Sequence, residues 1–269
     1  MAFTTLTSGG RPFKAGRLTC STTRTPQTSY PYSEPSHSAT CTICSIARTI
    51  GSSLQSSRST GRRLWLERRL RHSRKDGYNV SIVLELETSF TDDVAATKRA
   101  LALQDGPCIL VGHSYGGAVI TEAGTDSSVA GLVYIAAHMP DAGENEADDG
   151  KHFPSDLSNS GAIEKTADGF TYLDPAQFHV YFAADLSAEQ AAFMAQSQVL
   201  NFADNFRAVI TTAAWRTKPS WMLVAGSDRT ISPDLERCYG KRAKSHTVKV
   251  AGASHRVYIS HPKEVADIV

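Results

Sequence analysis

The sequence has no apolar run of the ~20 residues that a membrane-spanning helix needs. Its N-terminus also lacks the continuous apolar segment of a secretory signal. Five cysteines in 269 residues are too few and too scattered for a disulfide framework. The first absence excludes a helical membrane anchor in this sequence, and the others argue against a disulfide-stapled secreted domain. We therefore expect a cytoplasmic protein in a reducing environment, without a membrane partner.

Acidic residues are scarce in the first 75 positions, which hold 13 Lys and Arg but only two Glu. Ser and Thr account for 25 of the same 75 residues, and helical or strand periodicity is rare there. Such a segment has little to bury. We therefore predict that residues 1–75 form an atypical basic segment that is poorly ordered, with loop or disorder over 1–61. The folded domain is expected to extend over residues 76–269.

Two features of the basic segment have alternative interpretations. Residues 61–75 contain three Leu and one Trp among seven basic residues, which fits an amphipathic helix on a sheet face. A basic helix could also bind nucleic acid or anionic lipid, but no known nucleic-acid module accompanies it, so we expect no nucleic-acid partner. Cys41 and Cys44 form a lone C-x-x-C without a second ligand pair, which favours neither a metal site nor a redox site.

Downstream of Asp76, short apolar runs alternate with helical patterns. Strands are predicted over residues 78–84, 108–111, 129–137, 220–225 and 246–251. Helices are predicted to start at the N-cap Thr91, after Ser114, and over 233–243 and 262–269. This alternation predicts βαβ units and a mostly parallel sheet with helices on both faces. Residues 140–214 break the alternation and include a predicted helix at 186–198, so we interpret them as a helical cap.

The motif that carries chemistry is GHSYGG at residues 112–117. Gly112 and Gly116 flank Ser114 and permit a sharp turn from a strand into a helix without a Cβ clash. Such a turn lifts the hydroxyl clear of the sheet and directs the following backbone N–H groups at one point, which can hold an oxyanion. A glycine-rich turn with an incidental serine is the alternative. The strand before and the helix after favour a nucleophile.

A serine nucleophile needs a base that titrates near neutral pH, and histidine is the first candidate. Asp228 and His255 each follow a predicted strand, as Ser114 does, and functional loops of an open parallel sheet lie at these carboxyl ends. We therefore predict a catalytic triad in which His255 is the general base and Asp228 orients its imidazole. His261, which precedes Pro262, is a weaker rival base.

Several side chains near these strand ends are candidates for the remainder of the site. His113 adjoins the serine and is predicted to shape the turn. Substrate contacts are predicted for His138, Phe178, His179 and Trp215, although core or surface packing is the alternative for each.

Residues 76–269 resemble the α/β-hydrolase superfamily, in particular small serine esterases similar to plant methyl esterases and hydroxynitrile lyases. The resemblance rests on GHSYGG (112–117), LVYIAA (132–137), PDAGE (140–144), TKPSWMLVAGSDRTI (217–231) and AGASHRVYISHP (251–262). It implies an α/β-hydrolase fold and a carboxyl-ester hydrolase that acts on a small molecule through Ser114, Asp228 and His255. It also implies the backbone N–H of Tyr115 as one oxyanion donor, and no metal or organic cofactor. The Phe-rich segment 170–206 would roof a pocket for small or hydrophobic esters.

Two departures from this resemblance keep alternatives open. Similar lyases usually carry Lys after the catalytic histidine and a different residue before the serine. Here His113 precedes the serine, which favours an esterase. Arg256 follows the histidine and supplies a positive charge that could meet a nitrile or cyanide, so a lyase is kept as an alternative, although arginine is larger than lysine and has no accessible neutral form. The family also has an N-terminal strand ending in a His-Gly pair, and this sequence has no His-Gly pair. We expect missing or irregular N-terminal strands, through a shifted reading frame or a transit peptide. A catalytically impaired protein is a further alternative, and the oligomeric state is open, a dimer included.

Overall fold

A computed structural model of the protein describes residues 42–47 and 79–269, and for 42–47 it describes the backbone alone. Within these residues, the central sheet has six strands in the order β2-β1-β3-β4-β8-β9. These strands are β1 (Thr42–Ala47), β2 (Asn79–Leu84), β3 (Cys108–Ser114), β4 (Val129–Ala137), β8 (Ser220–Ala225) and β9 (His246–Val250). Every pairing in this sheet is parallel, as the alternation of strands and helices predicts.

The central strands are near-continuous apolar runs because both faces of the sheet are covered. Leu110 and Tyr134 belong to one hydrophobic cluster, whereas their chain neighbours Val111 and Val133 belong to another. Successive side chains of a strand point to opposite faces, so the two clusters lie on the two sides of the sheet. Two separate apolar layers therefore hold β3 and β4 in place.

Strand β1 corrects an expectation from the sequence. The loop or disorder predicted for residues 1–61 is wrong for Thr42–Ala47, which lies inside the sheet between β2 and β3. Its register pairs Ile46 with Gly112. A six-residue strand without strict polar and apolar alternation is a weak signal, and the surrounding Ser/Thr-rich segment obscured it. The basic helix expected over 61–75 and Cys41 of the C-x-x-C pair lie outside the described residues.

Helices cover both faces of the sheet and also build the cap. They are α1 (Phe90–Leu101), α2 (Gly116–Ala123), α3 (Glu146–His152), α4 (Asp156–Ser160), α5 (Phe178–Phe182), α6 (Ala188–Ala195), α7 (Pro233–Ala243), α8 (Val257–Ser260) and α9 (Pro262–Ile268). The N-cap of α1 is Ser89, whose side chain accepts the Asp92 N–H, and not the predicted Thr91. Helix α7 has the predicted bounds, with Pro233 in the first turn, where a missing N–H costs nothing.

The cap contains helices α3 to α6, as expected, together with a small antiparallel sheet that the sequence did not indicate. Its strands are β5 (Ile163–Lys165), β6 (Phe170–Leu173) and β7 (Asn201–Phe202). Gly169, with φ of +96°, makes the turn from β5 to β6. Helix α6 starts at the N-cap Ser187, which forms a capping box with Gln190. Two 3₁₀ helices, Ala203–Arg207 and Ala214–Arg216, return the chain to β8.

Two further features bear on the class of protein. Cys108 and Cys238 are buried thiols, as expected for residues outside a disulfide framework. Within the described part of the chain, no helix combines the length and the apolar character needed to span a bilayer.

Candidate active site

Ser114 lies at the end of β3, at the turn into α2. Its φ of +56° is in the left-handed region, which residues other than glycine rarely occupy. Close packing explains two glycines around it: a Cβ on Gly112 would lie 2.6 Å from the Gly116 carbonyl oxygen, and one on Gly117 would lie 2.1 Å from the His138 carbonyl oxygen. The motif therefore forms the strained strand-to-helix turn that its spacing predicts.

The neighbouring strand adapts to this turn. The pairing of β3 with β4 shifts register between His113 and Ser114, and Ala136 of β4 has a φ of +43°. Beyond the strand end, the His138 N–H donates to the Ser114 carbonyl oxygen at 3.2 Å. A residue in a strained conformation persists only where its surroundings hold it, and here both strands do so.

Asp228 and His255 meet at the carboxyl ends of β8 and β9. The His255 Nδ1 lies 2.7 Å from the Asp228 Oδ2, and both side chains are 0% exposed. Because an ionised carboxylate can only accept, Nδ1 carries the hydrogen and Nε2 presents its lone pair. The Asp228 Oδ1 accepts the N–H groups of Thr230 at 2.7 Å and Ile231 at 3.1 Å. The carboxylate is therefore fixed in orientation before it binds the imidazole.

His113 joins the serine turn to the histidine loop. Its Nε2 donates to the His255 carbonyl oxygen at 2.9 Å, and the two ring centroids are 4.6 Å apart. From the cap, Phe182 packs against the same imidazole with a centroid distance of 4.7 Å. Phe182 also lines the cavity to which Ser114 belongs. The serine and the imidazole therefore share neighbours on both the sheet and the cap.

Ser114 lies on the wall of a cavity of about 520 Å³. This size is within the usual range for small-molecule sites. The cap supplies most of the wall, and the remainder comes from the ends of β3 and β4 and from residues 230–235. The wall is mainly apolar and includes Phe153, Leu157, Leu173, Phe182, Phe206 and Leu235.

Of the four predicted substrate contacts, His138 lines this cavity, whereas Phe178 and Trp215 lie in the core. Phe178 packs on Phe182 with a centroid distance of 4.9 Å. Trp215 donates its indole N–H to the Pro140 carbonyl oxygen at 3.0 Å. Core packing, the alternative interpretation, describes both residues.

Two other histidines lie away from the cavity wall. The ring of His179 contacts the Leu186 carbonyl oxygen at 3.0 Å. His261, the rival base, bonds the Ser260 hydroxyl at 2.8 Å and lies 3.7 Å from Asp185. Neither is among the described residues that line the cavity. His261 therefore lies apart from the serine, whereas the ring of His255 packs on His113, the residue before Ser114.

Arg256, which motivated the lyase alternative, is used in packing. Its guanidinium carbon lies 4.3 Å from the centroid of Phe182, and it donates to the hydroxyl of Tyr258. The residue is 3% exposed and is absent from the described cavity lining. A cyanide or nitrile in the cavity would therefore not meet this charge directly.

His138 lies beside a buried carboxyl of the cavity wall, since its Nε2 is 3.5 Å from the Glu146 Oε2. Burial, with repulsion from His255, lowers the pKa of His138 to about 3. The ring lies 3.5 Å from the Tyr239 hydroxyl, which in turn donates to Asp149 at 2.7 Å. His138 is therefore a neutral polar group beside Ser114 at physiological pH.

Asp93, in the first turn of α1, supports the turn at Ser114, a role that the sequence did not reveal. The Tyr115 hydroxyl donates to the Asp93 Oδ2 at 3.0 Å. The other oxygen of Asp93 accepts the N–H groups of Leu86 and Glu87 at 3.1 and 3.2 Å. Burial raises the pKa of both Asp93 and Tyr115. The residue after the serine is thus anchored by a contact across 22 positions, a separation that carries no local signal.

No group of three or more His, Cys, Asp or Glu is placed to hold a metal ion within the part of the chain that the structure describes. What the site offers is a serine in a strained turn, a buried His–Asp pair and an apolar cavity. This set of groups can transfer a proton and form a covalent bond to an electrophilic carbon.

A model of the alpha/beta hydrolase family matches residues 51–268 of the chain. The match spans most of the sequence, and the protein therefore belongs to the alpha/beta hydrolase family. The predicted fold class is confirmed. The matched region begins at residue 51, whereas the resemblance that rests on the sequence motifs begins at Asp76.

Solved structures of the same fold include several esterases. Polyneuridine aldehyde esterase gives a TM-score of 0.67, with 14% identity over 85% of this chain and 96% of that chain. A pyrethroid hydrolase from Sphingobium faniae gives 0.64, with 19% identity over 85% and 94%. A methylesterase from Arabidopsis gives 0.64, with 12% identity over 84% and 95%. At such identities the likeness shows the shared fold. A comparison with curated proteins finds no match.

Proposed function

We propose that this protein is a serine hydrolase that cleaves carboxyl esters of small, largely apolar molecules. The observation that carries the proposal is the buried 2.7 Å bond between His255 and Asp228, beside a serine held in a strained turn on an apolar cavity. The names of two similarly folded proteins, polyneuridine aldehyde esterase and the Arabidopsis methylesterase, support ester hydrolysis as the chemistry.

In the proposed acylation, the Ser114 Oγ attacks the ester carbonyl carbon and its proton passes to the His255 Nε2. Asp228 accepts the Nδ1–H bond and stabilises the imidazolium that forms. The negative charge on the carbonyl oxygen faces the backbone N–H of Tyr115, at the start of α2, where the helix dipole is favourable. The imidazolium then gives its proton to the departing alcohol, and the acyl group stays on the serine.

Deacylation repeats the same proton transfers with water in place of the serine. His255 takes a proton from water, which attacks the acyl carbon, and the proton returns to the Ser114 Oγ as the acid leaves. The chain's own residues suffice for both steps, since each transfer begins or ends on the imidazole.

The cavity suggests how a substrate is oriented. Apolar side chains of the cap would bind the hydrocarbon part of the ester, and the neutral ring of His138 would contact a polar atom close to the reacting carbonyl. Desolvating a charged group in such a cavity is costly, so uncharged esters are the preferred substrates.

The catalytically impaired alternative concerns the second oxyanion donor. The resemblance implies that the second donor follows an N-terminal strand, and here the N-terminal strand β1 lies beside the nucleophile strand, since Ile46 pairs with Gly112. The carboxyl end of β1 thus lies at the same sheet edge as Ser114. A strand in that position supports catalysis, although the sequence lacks the His-Gly pair.

Hydrolysis of p-nitrophenyl acetate and butyrate by the full chain tests the proposal. We expect turnover in the wild type and a loss of about 10⁶-fold in kcat in Ser114→Ala, because removing the nucleophile disables the whole triad. Ser197→Ala, a serine of the cap outside the cavity lining, is the matched control and should retain turnover.

Two other outcomes would replace the proposal. Labelling of Ser114 by a fluorophosphonate without measurable turnover of either ester would show an activated serine in a catalytically impaired protein. Release of cyanide from a cyanohydrin, with no ester hydrolysis, would show a lyase.

A further inference from the structure

Glu236, in the first turn of α7, is a buried carboxyl that the proposed mechanism does not use. Glu236 is 0% exposed. The Oε2 accepts the Ala225 N–H at 3.1 Å, at the end of β8. For the Oε1, no donor lies within range among the described residues. The Asp228 N–H donates to the Ala225 carbonyl oxygen at 3.2 Å, so both acids bond the same residue, and each carboxyl acts on the pKa of the other through a side-chain hydrogen bond.

Two buried carboxylates in contact cannot both be ionised, because their repulsion adds to the cost of removing each charge from water. The Asp228 carboxylate accepts three hydrogen bonds, from the backbone N–H groups of Thr230 and Ile231 and from the Nδ1–H of His255. Glu236 has one such donor. The contact between the two carboxyls therefore holds one proton, and the negative charge belongs on the better-solvated partner, Asp228.

The pKa values of both carboxyls are raised, but the groups that oppose the rise differ between them. Burial raises the pKa of Glu236 well above its usual range, and the charge of Asp228 raises it further. Burial also raises the pKa of Asp228, whereas the Ile231 and Thr230 N–H groups and Glu236 itself act in the opposite direction. The other charged groups that act on the pair are His255 on the histidine loop, Asp185 in the cap and Arg237 on α7.

We propose that Glu236 is a positioning residue of the triad, which stays protonated and donates a hydrogen bond to Asp228. This inference rests on the proposed function, because it assigns Glu236 a role through Asp228 and His255. The fourth hydrogen bond holds the Asp228 carboxylate in plane with the imidazole. It also keeps one negative charge, and not two, beside His255. A second charge would hold the proton on the imidazole too strongly for its return to the departing alcohol.

Two substitutions separate the proton from the charge. Glu236→Gln keeps a donor for Asp228 and an acceptor for the Ala225 N–H, so we expect kcat/KM for p-nitrophenyl butyrate within about threefold of wild type. Glu236→Leu keeps the approximate volume but removes both groups. We expect a loss of about 10- to 100-fold, the usual effect of removing a hydrogen bond to a charged group. A thermal melt of each variant reports on folding.

Infrared difference spectroscopy at pH 8 detects the carboxyl proton of Glu236 directly, and the measurement does not depend on esterase activity. The spectrum of wild type minus Glu236→Gln should contain the carbonyl stretch of a protonated carboxyl group. Asp149→Asn is the matched control: burial raises the pKa of Asp149 only to about 6, so its difference spectrum at pH 8 should contain carboxylate bands instead.

Three results would overturn the inference. The first is carboxylate bands, in place of the protonated carbonyl stretch, in the Glu236→Gln difference spectrum. The second is a loss of kcat/KM in Glu236→Gln as large as that in Glu236→Leu, which would show that the negative charge is needed. The third is equal, wild-type kcat/KM in both variants, which a merely structural role predicts. Absence of esterase activity in the wild type would contradict the proposed function alone, since the infrared result stands without it.

Discussion

The two sides of the candidate site are constructed differently. On the nucleophile side, the backbone sets the geometry: Ser114 has a φ of +56°, and a Cβ on Gly117 would lie 2.1 Å from the His138 carbonyl oxygen. On the acid–base side, side chains set it: Asp228 and His255, 27 positions apart, meet through one 2.7 Å bond.

The cap braces only the acid–base side by hydrogen bonds from its described residues to the catalytic loops. The Thr230 hydroxyl donates to the Tyr181 carbonyl oxygen at 2.9 Å, beside the Asp228 loop. The Ser254 N–H donates to the Asp185 carboxylate at 2.9 Å, beside His255. Damage to the nucleophile side should therefore reduce stability and activity together. Substitutions on the acid–base side should reduce activity in a protein that remains folded. Substitutions in the cap should reduce activity by displacing His255.

Asp228→Asn should have the largest effect and separate activity from folding. The amide presents a donor to the imidazole and favours the wrong tautomer of His255, so we expect kcat to fall by about 10⁴-fold. The thermal melt should change little, because the shape of the side chain is kept. Asp234→Asn, an exposed carboxyl on the same α7, is the control and should retain activity. A loss of less than tenfold in Asp228→Asn would contradict the proposed triad.

Phe182→Ala tests how far the acid–base side depends on the cap. The ring is 4% exposed and packs on both His255 and Arg256. We expect a loss of about 3 kcal/mol in the free energy of unfolding, as for other buried rings. A displaced imidazole should also lower kcat/KM by up to about 100-fold. Phe193→Ala, also in the cap but 48% exposed, should cost far less stability. Unchanged kcat/KM in Phe182→Ala would show that the sheet alone positions His255.

Gly117→Ala tests the nucleophile side. The added methyl group has no space beside the His138 carbonyl, so the strand end or the helix must shift. We expect a loss on the order of 3 kcal/mol in stability together with most of the activity. Gly150→Ala is the matched control for stability: nothing lies within 4 Å of its Cβ, and alanine favours the helix. If Gly117→Ala lost activity at wild-type stability, measured by urea unfolding, the contrast between the two sides would be wrong.

Asp149→Asn should have the smallest effect, which is confined to pH dependence. Burial raises the pKa of Asp149 from 3.8 to about 6, so the folded state binds this proton more tightly than the unfolded chain does. The resulting stabilisation is complete below pH 3.8 and is lost as the pH rises through about 6. The difference in unfolding free energy between wild type and variant should therefore change by at most about 3 kcal/mol between pH 4 and pH 7.

The neighbouring Asp148 provides the control for this pH series. The hydrogen bond from Lys151 lowers the pKa of Asp148. At low pH, wild type should therefore not have a larger free energy of unfolding relative to Asp148→Asn, as it should relative to Asp149→Asn. A pH-independent difference between wild type and Asp149→Asn, measured by urea unfolding at each pH, would show that Asp149 does not hold its proton in the folded state.

The same contrast explains what the sequence could predict. The nucleophile turn is local: Gly112, Ser114 and the strand and helix around them are contiguous, so the motif alone indicates their geometry. Asp228 and His255 were predictable as loop residues after strands, because parallel strands bring their carboxyl ends to one edge. The direct contact between Asp228 and His255 joins residues that are 27 positions apart, so only the structure shows it.

The features that the sequence did not reveal are long-range or weakly patterned. Glu236 resembles any acidic residue in a first helical turn, and its contact with Asp228 depends on how α7 packs against the end of β8. The cap sheet consists of strands of two to four residues, too short for alternation to be read. Phe178 and Trp215 resemble pocket residues in composition, since aromatic side chains fill cores and line cavities alike.

The interior position of β1 has a consequence for how the chain assembles during synthesis. Among the described residues, β2 pairs with β1 alone, and β1 must also pair with β3, whose first residue is Cys108. β1 therefore cannot complete its hydrogen bonds until β3 has been synthesised, and closing a loop of that length is slow. A shortened chain that began at Asn79 would leave β2 without a partner and β3 with an open backbone edge, which is a template for aggregation.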